Sequence, residues 1–319
     1  MHLYILRRLL IAIPTLIGVT LLIFAAMRVL PGDPFATIEG ESIGTIQLTP
    51  EQIAKARASL GLDRPYHVQY LAWIGDVLKG NLGTSFWRGE PLSELILRRA
   101  PITIQIALMA VLLSWIIGLP VGMLSATRRN TWLDYLSRTF VTLFQAIPSF
   151  FLGMLVILIG ILYFSWRPSL TIVYFWDDPY KNLEMTIGPA MALGLGLGAF
   201  IARIARSSTL EVLGEDYVRT ARAKGLGDRW ILIRHVLKNA LLPVVTVSGL
   251  ALGGLIGGSV AVERAFGVPG LGLALVMAVA ERDWMLIQNL ALFYGLVFVL
   301  VNLLVDVSYA WIDPRIRYG

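Results

Sequence analysis

The sequence lacks cysteine and holds few charged residues. Without cysteine the chain can form neither a disulfide nor a thiolate site, and cysteine usage gives no clue to its compartment. Only 15% of the 319 residues are charged and 56% are hydrophobic, a composition typical of membrane proteins. The net charge of +6 does not indicate nucleic-acid binding, because the basic residues gather beside apolar segments, where they orient a membrane protein.

The residue patterns of an active site are absent as well. The three histidines, His2, His67 and His235, lie in separate segments without the spacing of metal ligands. None of the five lysines follows a glycine, so the chain has no phosphate-binding loop of the form G-x-x-x-x-G-K-[ST]. We therefore expect no catalytic, cofactor or metal site and no enzyme activity in this chain. If ATP drives its function, ATP binds to another subunit.

Long apolar runs are abundant. Residues 9–27 form a run of 19 residues without a charge, close to the roughly 20 residues that a helix needs to cross a membrane. That run exceeds the apolar core of a cleaved signal peptide, about 7–15 residues. The other predicted spans are 102–126, 140–164, 187–202, 241–262 and 286–305. The sequence thus predicts an all-α integral membrane protein with six transmembrane helices and both termini on one side.

The distribution of Lys and Arg predicts the orientation. The two termini and the segments near 128–138 and 203–238 carry fifteen basic residues, whereas the loops 165–186 and 263–285 carry four. Basic residues in short loops stay in the cytoplasm, so we expect both termini inside. The predicted parts are the N-terminus with the first span (1–30), an extracytoplasmic helical loop (31–99) and a core transmembrane domain (100–319) with a cytoplasmic loop at 203–239.

The outer loop 31–99 reads as a small helical element. Residues 49–52, Thr-Pro-Glu-Gln, form a capping box that predicts one helix. Asp63 and Pro65 predict the start of a second. The loop is too small for an independent domain, and a simple cap over the ends of the spans is one interpretation of it.

The cytoplasmic loop is the most informative segment. Between residues 203 and 238 it carries eight basic and four acidic residues. The pattern predicts two short helices joined by a tight turn, with Gly225 as a left-handed C-cap and Asp228 as the next N-cap. Such a loop could serve only to fix topology and to touch anionic lipid. Its small and apolar residues favour docking into the groove of a partner instead: Ala221, Ala223, Gly225, Leu226 and Trp230.

The same residues carry a resemblance. The run Arg219-Thr-Ala221-Arg-Ala-Lys-Gly225, followed by Leu242-Pro243, resembles the EAA loop of ABC-transporter permeases. Arg219 and Thr220 stand where the general pattern has Glu and Ala, which is the form found in the dipeptide, oligopeptide and nickel importer permeases. The resemblance extends over nearly the whole chain, through the motifs at 30–34, 269–272 and 313–317.

The resemblance implies a multi-pass permease subunit of an ATP-driven, binding-protein-dependent importer of di- or oligopeptides in the bacterial inner membrane. The implied partners are a second homologous permease, two cytoplasmic ABC ATPases that hold ATP and Mg, the transported peptide and membrane lipid, but no nucleic acid. A further implied partner is an extracytoplasmic substrate-binding protein, which could contact the outer loop. Related permeases also handle nickel chelates and glutathione-like compounds, so the solute stays open. The implied docking residues are Glu215, Arg219, Thr220, Ala221, Ala223, Lys224, Gly225 and Leu226.

The fifth predicted span carries small residues at four-residue spacing, Gly249, Gly253 and Gly257. This spacing permits close helix packing, either static or at a moving seam that lines the path. The amides within spans, Gln145, Gln288, Asn289 and Asn302, favour interhelical hydrogen bonds over substrate contact.

A stand-alone secondary transporter or channel is an alternative function, and a membrane assembly factor is a third. The scarcity of ionisable residues inside the spans disfavours coupling to protons or sodium.

Overall fold

The computed structural model describes residues 2–29, 61, 63–86 and 88–312, and these are helical apart from turns and one isolated bridge between Thr84 and Pro91. The expected all-α class is therefore confirmed for the described residues. The helix predicted after the capping box at 49–52 lies outside them, as do the motifs at 30–34 and 313–317.

The described residues contain twelve α-helices. In chain order they are α1 (His2–Val29), α2 (Tyr66–Leu78), α3 (Leu92–Thr127), α4 (Trp132–Ala146), α5 (Ser149–Phe164), α6 (Pro179–Leu213), α7 (Asp216–Ala223), α8 (Asp228–Ile231), α9 (Leu237–Gly258), α10 (Val260–Phe266), α11 (Leu271–Glu281) and α12 (Trp284–Ile312). A π-helical turn, Leu232–Val236, joins α8 to α9.

Five helical segments are long and apolar enough to cross a membrane: Leu10–Arg28, Leu92–Thr127, Pro179–Leu213, Asp228–Gly258 and Trp284–Val305. Two bent pairs, α4 with α5 and α10 with α11, would raise the number to seven if each pair is one span. The span predicted at 187–202 is the middle of the 35-residue helix α6. The span predicted at 241–262 belongs to a helical segment that begins at Asp228 and breaks at Ser259.

The span predicted at 140–164 is not one straight helix. It consists of parts of α4 and α5, which meet at 103°. Proline lacks an amide hydrogen and disfavours the helical conformation in the residue before it. Ile147 accordingly adopts an extended conformation (φ −89°, ψ 124°), and α5 begins after Pro148. The predicted span is therefore divided by a bend at Pro148, and α4 and α5 make one crossing only if the bent pair counts as one span.

The described residues form two compact units. The first contains the described residues of 1–9, 99–273 and 297–319, and the second those of 10–98 and 274–296. In the first, a buried apolar cluster joins α3, α5, α6 and α10 through side chains such as Ile106, Leu152, Met185, Leu193 and Phe266.

Within the first unit α3 and α6 approach each other at glycine positions. A Cβ added at Gly118 would lie 2.5 Å from the carbonyl oxygen of Gly198, and one added at Gly122 would lie 2.4 Å from that of Ala202. Gly194 and Gly198 face α3 in turn. Small residues four positions apart on both helices let the backbones touch, so α3 and α6 form a close-packed pair.

The α6 helix begins with a side-chain cap. The Asp178 carboxylate accepts a hydrogen bond from the Lys181 amide at 3.1 Å and also pairs with the Lys181 ammonium. These contacts lower the pKa of Asp178 below its usual value. The cap satisfies one amide of the first turn that has no partner within the helix.

In the second unit α1 and α2 share an aromatic cluster, in which Phe24, Tyr70 and Trp73 stack or meet edge to face. The half-buried Arg28 lies over the Phe24 ring and donates hydrogen bonds to the side-chain oxygens of Gln69 and Gln288. These two amides hold the Arg28 guanidinium in place.

Candidate functional site

The predicted docking loop is built at the junction of two long helices. Its first part, from Arg203, continues the α6 helix to Leu213, and a break at Gly214 and Glu215 precedes the eight-residue helix α7. Its second part, α8, continues through the π-helical turn into α9. Two short helices were predicted, but only α7 is a separate short helix. The basic residues therefore lie partly on the ends of the two long helices and partly on α7 and the turn that follows it.

The turn between α7 and α8 has the expected glycine geometry. Gly225 adopts a φ of +81°, which confirms the left-handed C-cap. The amide of Gly225 donates to the Arg222 carbonyl at 2.9 Å, and that of Leu226 donates to the Ala221 carbonyl at 3.3 Å. The N-cap of α8 is Gly227 rather than Asp228, which is the first helical residue. The Asp228 side chain instead accepts a hydrogen bond from Arg222 Nε across the turn.

An apolar cluster fixes this turn to the rest of the first unit. Val218 and Ala221 of α7 are buried against Ile231, Val236 and Ala240. Ala221 is only 7% exposed, so it supports the turn from within and its side chain is not available to a partner. Ala221, which was predicted as a docking residue, therefore positions the turn from behind.

Apolar side chains also remain on the outside of the turn. Leu226 is 39% exposed and Trp230 is 53% exposed, and Tyr217 and Ile233 are similarly open. We call these four residues the outer apolar set. The remaining predicted docking residues also face outward: Glu215, Arg219, Thr220, Ala223, Lys224 and Gly225. The turn thus combines a buried cluster with an exposed surface that is both apolar and charged, as a docking element requires.

Beside the turn, one hydrogen bond joins the ends of the two long helices and another joins α9 to α7. Ser208 of α6 donates to the Ala240 carbonyl of α9 at 2.9 Å. Asn239 Nδ2 donates to the Tyr217 hydroxyl of α7 at 2.7 Å. Sequence reasoning missed Ser208, since a serine in a helix gives no signal of the carbonyl that it will meet. These contacts join the turn to α9, and α9 in turn to the end of α6.

The predicted glycine stripe of α9 has two different environments. A Cβ added at Gly249 would lie 1.9 Å from Cγ2 of Val305, and one added at Gly253 would lie 2.8 Å from the Phe298 ring. An added Cβ at Gly257 would meet nothing within 4 Å among the described residues. Gly249 and Gly253 therefore permit close packing against α12 within the chain, while Gly257 lies on an open face.

Sequence reasoning also missed a buried carboxylate at the corner between α10 and α11. Glu263 is completely buried, and its Oε1 accepts hydrogen bonds from the hydroxyls of Thr103 and Ser259, each at 2.9 Å. Its Oε2 accepts from the amides of Gly272 and Leu273 at 2.8 and 3.2 Å. The first amides of a helix have no partner within it, so Glu263 caps α11.

The glycines of this corner are required by space. A Cβ added at Gly270 would lie 2.3 Å from Glu263 Oε2, and one added at Gly272 would lie 2.7 Å from the Val260 Cα. The motif at 269–272, which contributed to the resemblance, thus leaves room for the Glu263 carboxylate. We call residues 259–273 the Glu263 corner.

The amides singled out within the spans differ in their contacts. Within the second unit, Gln288 accepts from Arg28, and Asn289 donates to the carbonyls of Leu82 and Met285. Gln145 is exposed near the end of α4. A buried amide that was not singled out, Asn182 of α6, exchanges hydrogen bonds with Gln105 of α3. Among the described residues no group of His, Asp or Glu could hold a metal ion.

The family models and the relatives that match this chain all describe membrane components of transport systems. The family described as the binding-protein-dependent transport system inner membrane component matches residues 118–318, and its N-terminal part matches residues 1–107. The chain is 40% identical over 314 residues to a peptide transport system permease protein of Brucella abortus, and the match covers 98% of each protein. It is 41% identical over 315 residues to the glutathione transport system permease protein GsiC of Salmonella paratyphi A, with 99% of each covered.

A solved structure is similar in fold. The inward-facing MetNI methionine ABC transporter aligns with a TM-score of 0.56 at 21% identity, covering 69% of this chain and 96% of that chain. A second crystal form of the same transporter aligns with a TM-score of 0.58.

Proposed function

Because the chain belongs to the family of inner membrane components of binding-protein-dependent transport systems, we propose that it is the permease subunit of an ATP-driven peptide importer in the bacterial inner membrane. The relatives named for peptide and glutathione transport support a substrate with a peptide backbone. Family membership favours this function over the alternative of a stand-alone transporter or channel.

The proposed topology has six spans with both termini in the cytoplasm. Five segments cross as long helices, and the bent pair of α4 and α5 makes the sixth crossing. The Glu263 corner, bent by 91° between α10 and α11, enters the membrane and returns on the outer side. The distribution of fifteen against four basic residues supports this orientation, with the segment 31–99 outside and the α7–α8 turn inside.

The exposed surface of the α7–α8 turn carries the functional argument. The outer apolar set and the neighbouring charges form a surface that a groove in a cytoplasmic ATPase can receive. The buried cluster behind it makes the turn a stiff element rather than a loose loop. ATP and Mg would bind to that ATPase, since this chain has no phosphate-binding loop.

The connections of the turn suggest how movement of an ATPase would reach the membrane. When two ATPase subunits close on ATP, each displaces the turn that it holds. Through the Ser208–Ala240 hydrogen bond and the cluster around Ile231, the turn moves with the ends of α6 and α9. A second homologous permease would complete the path between the two chains, and an extracytoplasmic binding protein would deliver the peptide to the outer side.

The first experiment is a pull-down of the tagged chain from detergent-solubilised membranes, followed by an ATPase assay. We expect the wild type to bring down a stoichiometric ATPase. The double variant Leu226→Asp/Trp230→Asp should lose that subunit, because both side chains are exposed and a buried charge in the interface is costly.

The control is Trp132→Asp, which changes an aromatic residue at the start of α4 that is more exposed, at 71%, than Leu226 or Trp230. It should keep the ATPase. A lone chain that moves solute in vesicles without ATP would refute the proposed function, and an intact complex with the double variant would refute the docking surface alone.

A further inference from the structure

A cavity of about 320 Å³ lies where α3, α4 and α6 converge in the first unit. Arg138 of α4 and both Arg203 and Arg206 of α6 line it, together with serine and threonine hydroxyls. Its volume falls within the range of ligand sites, about 300–1,000 Å³. The peptide path and the docking turn do not account for three arginines around one small cavity.

One of the three arginines is held in place by a buried carboxylate. Arg206 Nε donates to Asp134 Oδ1 at 3.1 Å and to Ser125 Oγ at 2.9 Å, and its Nη2 donates to Asp134 Oδ2 at 3.2 Å. Asp134 is completely buried and also accepts from the Ser125 hydroxyl and the Asn130 amide. This network orients the Arg206 guanidinium before any ligand arrives.

The other two arginines are exposed and lie over aromatic rings. Arg203 lies 5.0 Å from the centre of the Phe200 ring, and Arg138 lies 6.0 Å from that of Tyr135. Within the part of the chain that the structure describes, neither forms an ion pair. Of the three arginines that line the cavity, Arg206 is paired with Asp134, so the charges of Arg138 and Arg203 stay uncompensated among the described residues. Such a cavity suits an anion, and planar guanidinium groups suit the oxygens of a phosphate.

We propose that this cavity binds the phosphate of an anionic lipid headgroup. Apolar side chains, Val121 and Val141, line the same cavity and provide contacts for the glycerol and the upper acyl chain that a free phosphate does not need. The cavity lies near the C-terminal end of the long apolar helix α3, which the proposed orientation places at the cytoplasmic leaflet, and basic pockets between membrane helices on that side bind lipid headgroups. The assignment to the cytoplasmic leaflet rests on the proposed orientation. The preference of the arginine-lined cavity for an anionic headgroup does not depend on that orientation.

The test measures retained lipid rather than transport, so its result does not depend on the importer function. Native mass spectrometry of the purified complex should detect bound phosphatidylglycerol or cardiolipin. In nanodiscs with labelled phosphatidylglycerol, Arg138→Gln/Arg203→Gln should weaken binding about 100-fold, because each substitution removes a charge-assisted hydrogen bond to the phosphate that contributes about tenfold in affinity. The control Arg128→Gln/Arg129→Gln removes two exposed arginines outside the cavity and should keep the wild-type affinity.

Two further measurements separate the alternatives. Arg138→Lys/Arg203→Lys retains the charge and should retain part of the binding, which guards against a mere folding defect in the glutamine variant. Inorganic phosphate at millimolar concentration should not displace the labelled lipid. Equal loss of lipid in the control variant, unchanged binding in the glutamine variant, or displacement by inorganic phosphate would each overturn the proposal.

Discussion

The α7–α8 turn and the Glu263 corner both bend the chain at glycines, but they differ in the space around those glycines. At Gly270 and Gly272 of the corner an added Cβ would collide with Glu263 or with backbone, whereas at Gly225 and Gly227 it would meet nothing within 4 Å. Gly225 is needed for its positive φ. At the corner the Glu263 carboxylate is buried and bonded within the chain, whereas the turn leaves the side chains of Leu226 and Trp230 exposed. This difference indicates that the corner is a fixed structural joint, and it supports the proposal that the turn is the docking surface.

The largest effect that tests this contrast should come from Glu263→Ala. The substitution leaves two buried hydroxyls and two helix amides without their acceptor, and each such group costs about 1–3 kcal/mol. We expect a loss of at least about 3 kcal/mol and a fall in Tm of about 10 °C. Fluorescence-detected size-exclusion chromatography after heating measures it.

The control for that change is Glu281→Ala. Glu281 pairs with Arg88 and is 38% exposed, and ion pairs of this kind contribute about 0–1 kcal/mol. A similar fall in Tm for both variants would show that the buried hydrogen bonds of Glu263 stabilise the fold no more than an exposed ion pair does.

The second prediction places the same substitution at crowded and open glycines. Gly270→Ala brings a Cβ to 2.3 Å from Glu263 Oε2, and overpacking of this kind costs about 1–3 kcal/mol. Gly257→Ala adds its Cβ to open space in the helix α9 and should be neutral or stabilising in the isolated chain. Thermal stability of the two purified variants checks the difference. A loss of assembly in Gly257→Ala without a loss of stability would identify Gly257 as part of a contact with another subunit.

The third prediction concerns function more than stability. Gly225→Asp forces a side chain into a positive φ, at a cost of about 1–2 kcal/mol, and places a charge on the docking surface. We expect the variant to insert normally but to hydrolyse ATP without moving peptide, measured side by side in proteoliposomes. Gly227→Asp is the matched control for backbone strain, since Gly227 has an ordinary φ of −69°. Normal transport by Gly225→Asp would contradict the role of the turn in coupling.

The sequence predicted the turn better than the corner, and the reason is physical. The Gly225 cap depends on local backbone preferences, and local preferences are visible in a single sequence. The Glu263 network joins Thr103 to residues about 160 positions later, and no local pattern encodes such a meeting. An isolated Glu beside an apolar run reads only as the end of a span.

The spans show the same limit. Apolar runs revealed that long membrane helices exist, because hydrophobic length is a property of the segment itself. The break at Pro148 was foreseeable as a kink, but its angle of 103° depends on what α4 and α5 pack against. The close approach of α3 to α6 at Gly118 and Gly122 also went unnoticed, since glycine spacing alone does not say which helix will face it.

The smallest effect should come from the charges of the turn itself. Arg222 Nε and Asp228 Oδ1 lie 3.2 Å apart across the turn, and their side chains are 49% and 86% exposed. Water and salt screen such a pair, which contributes about 0–1 kcal/mol. Asp228→Asn should therefore leave Tm unchanged within error at both low and high salt.

If the buried cluster of Val218 and Ile231 holds the turn, Val218→Ala should lower Tm in the same assay. A marked fall for Asp228→Asn with none for Val218→Ala would mean that surface charge, rather than the apolar cluster, gives the turn its stiffness.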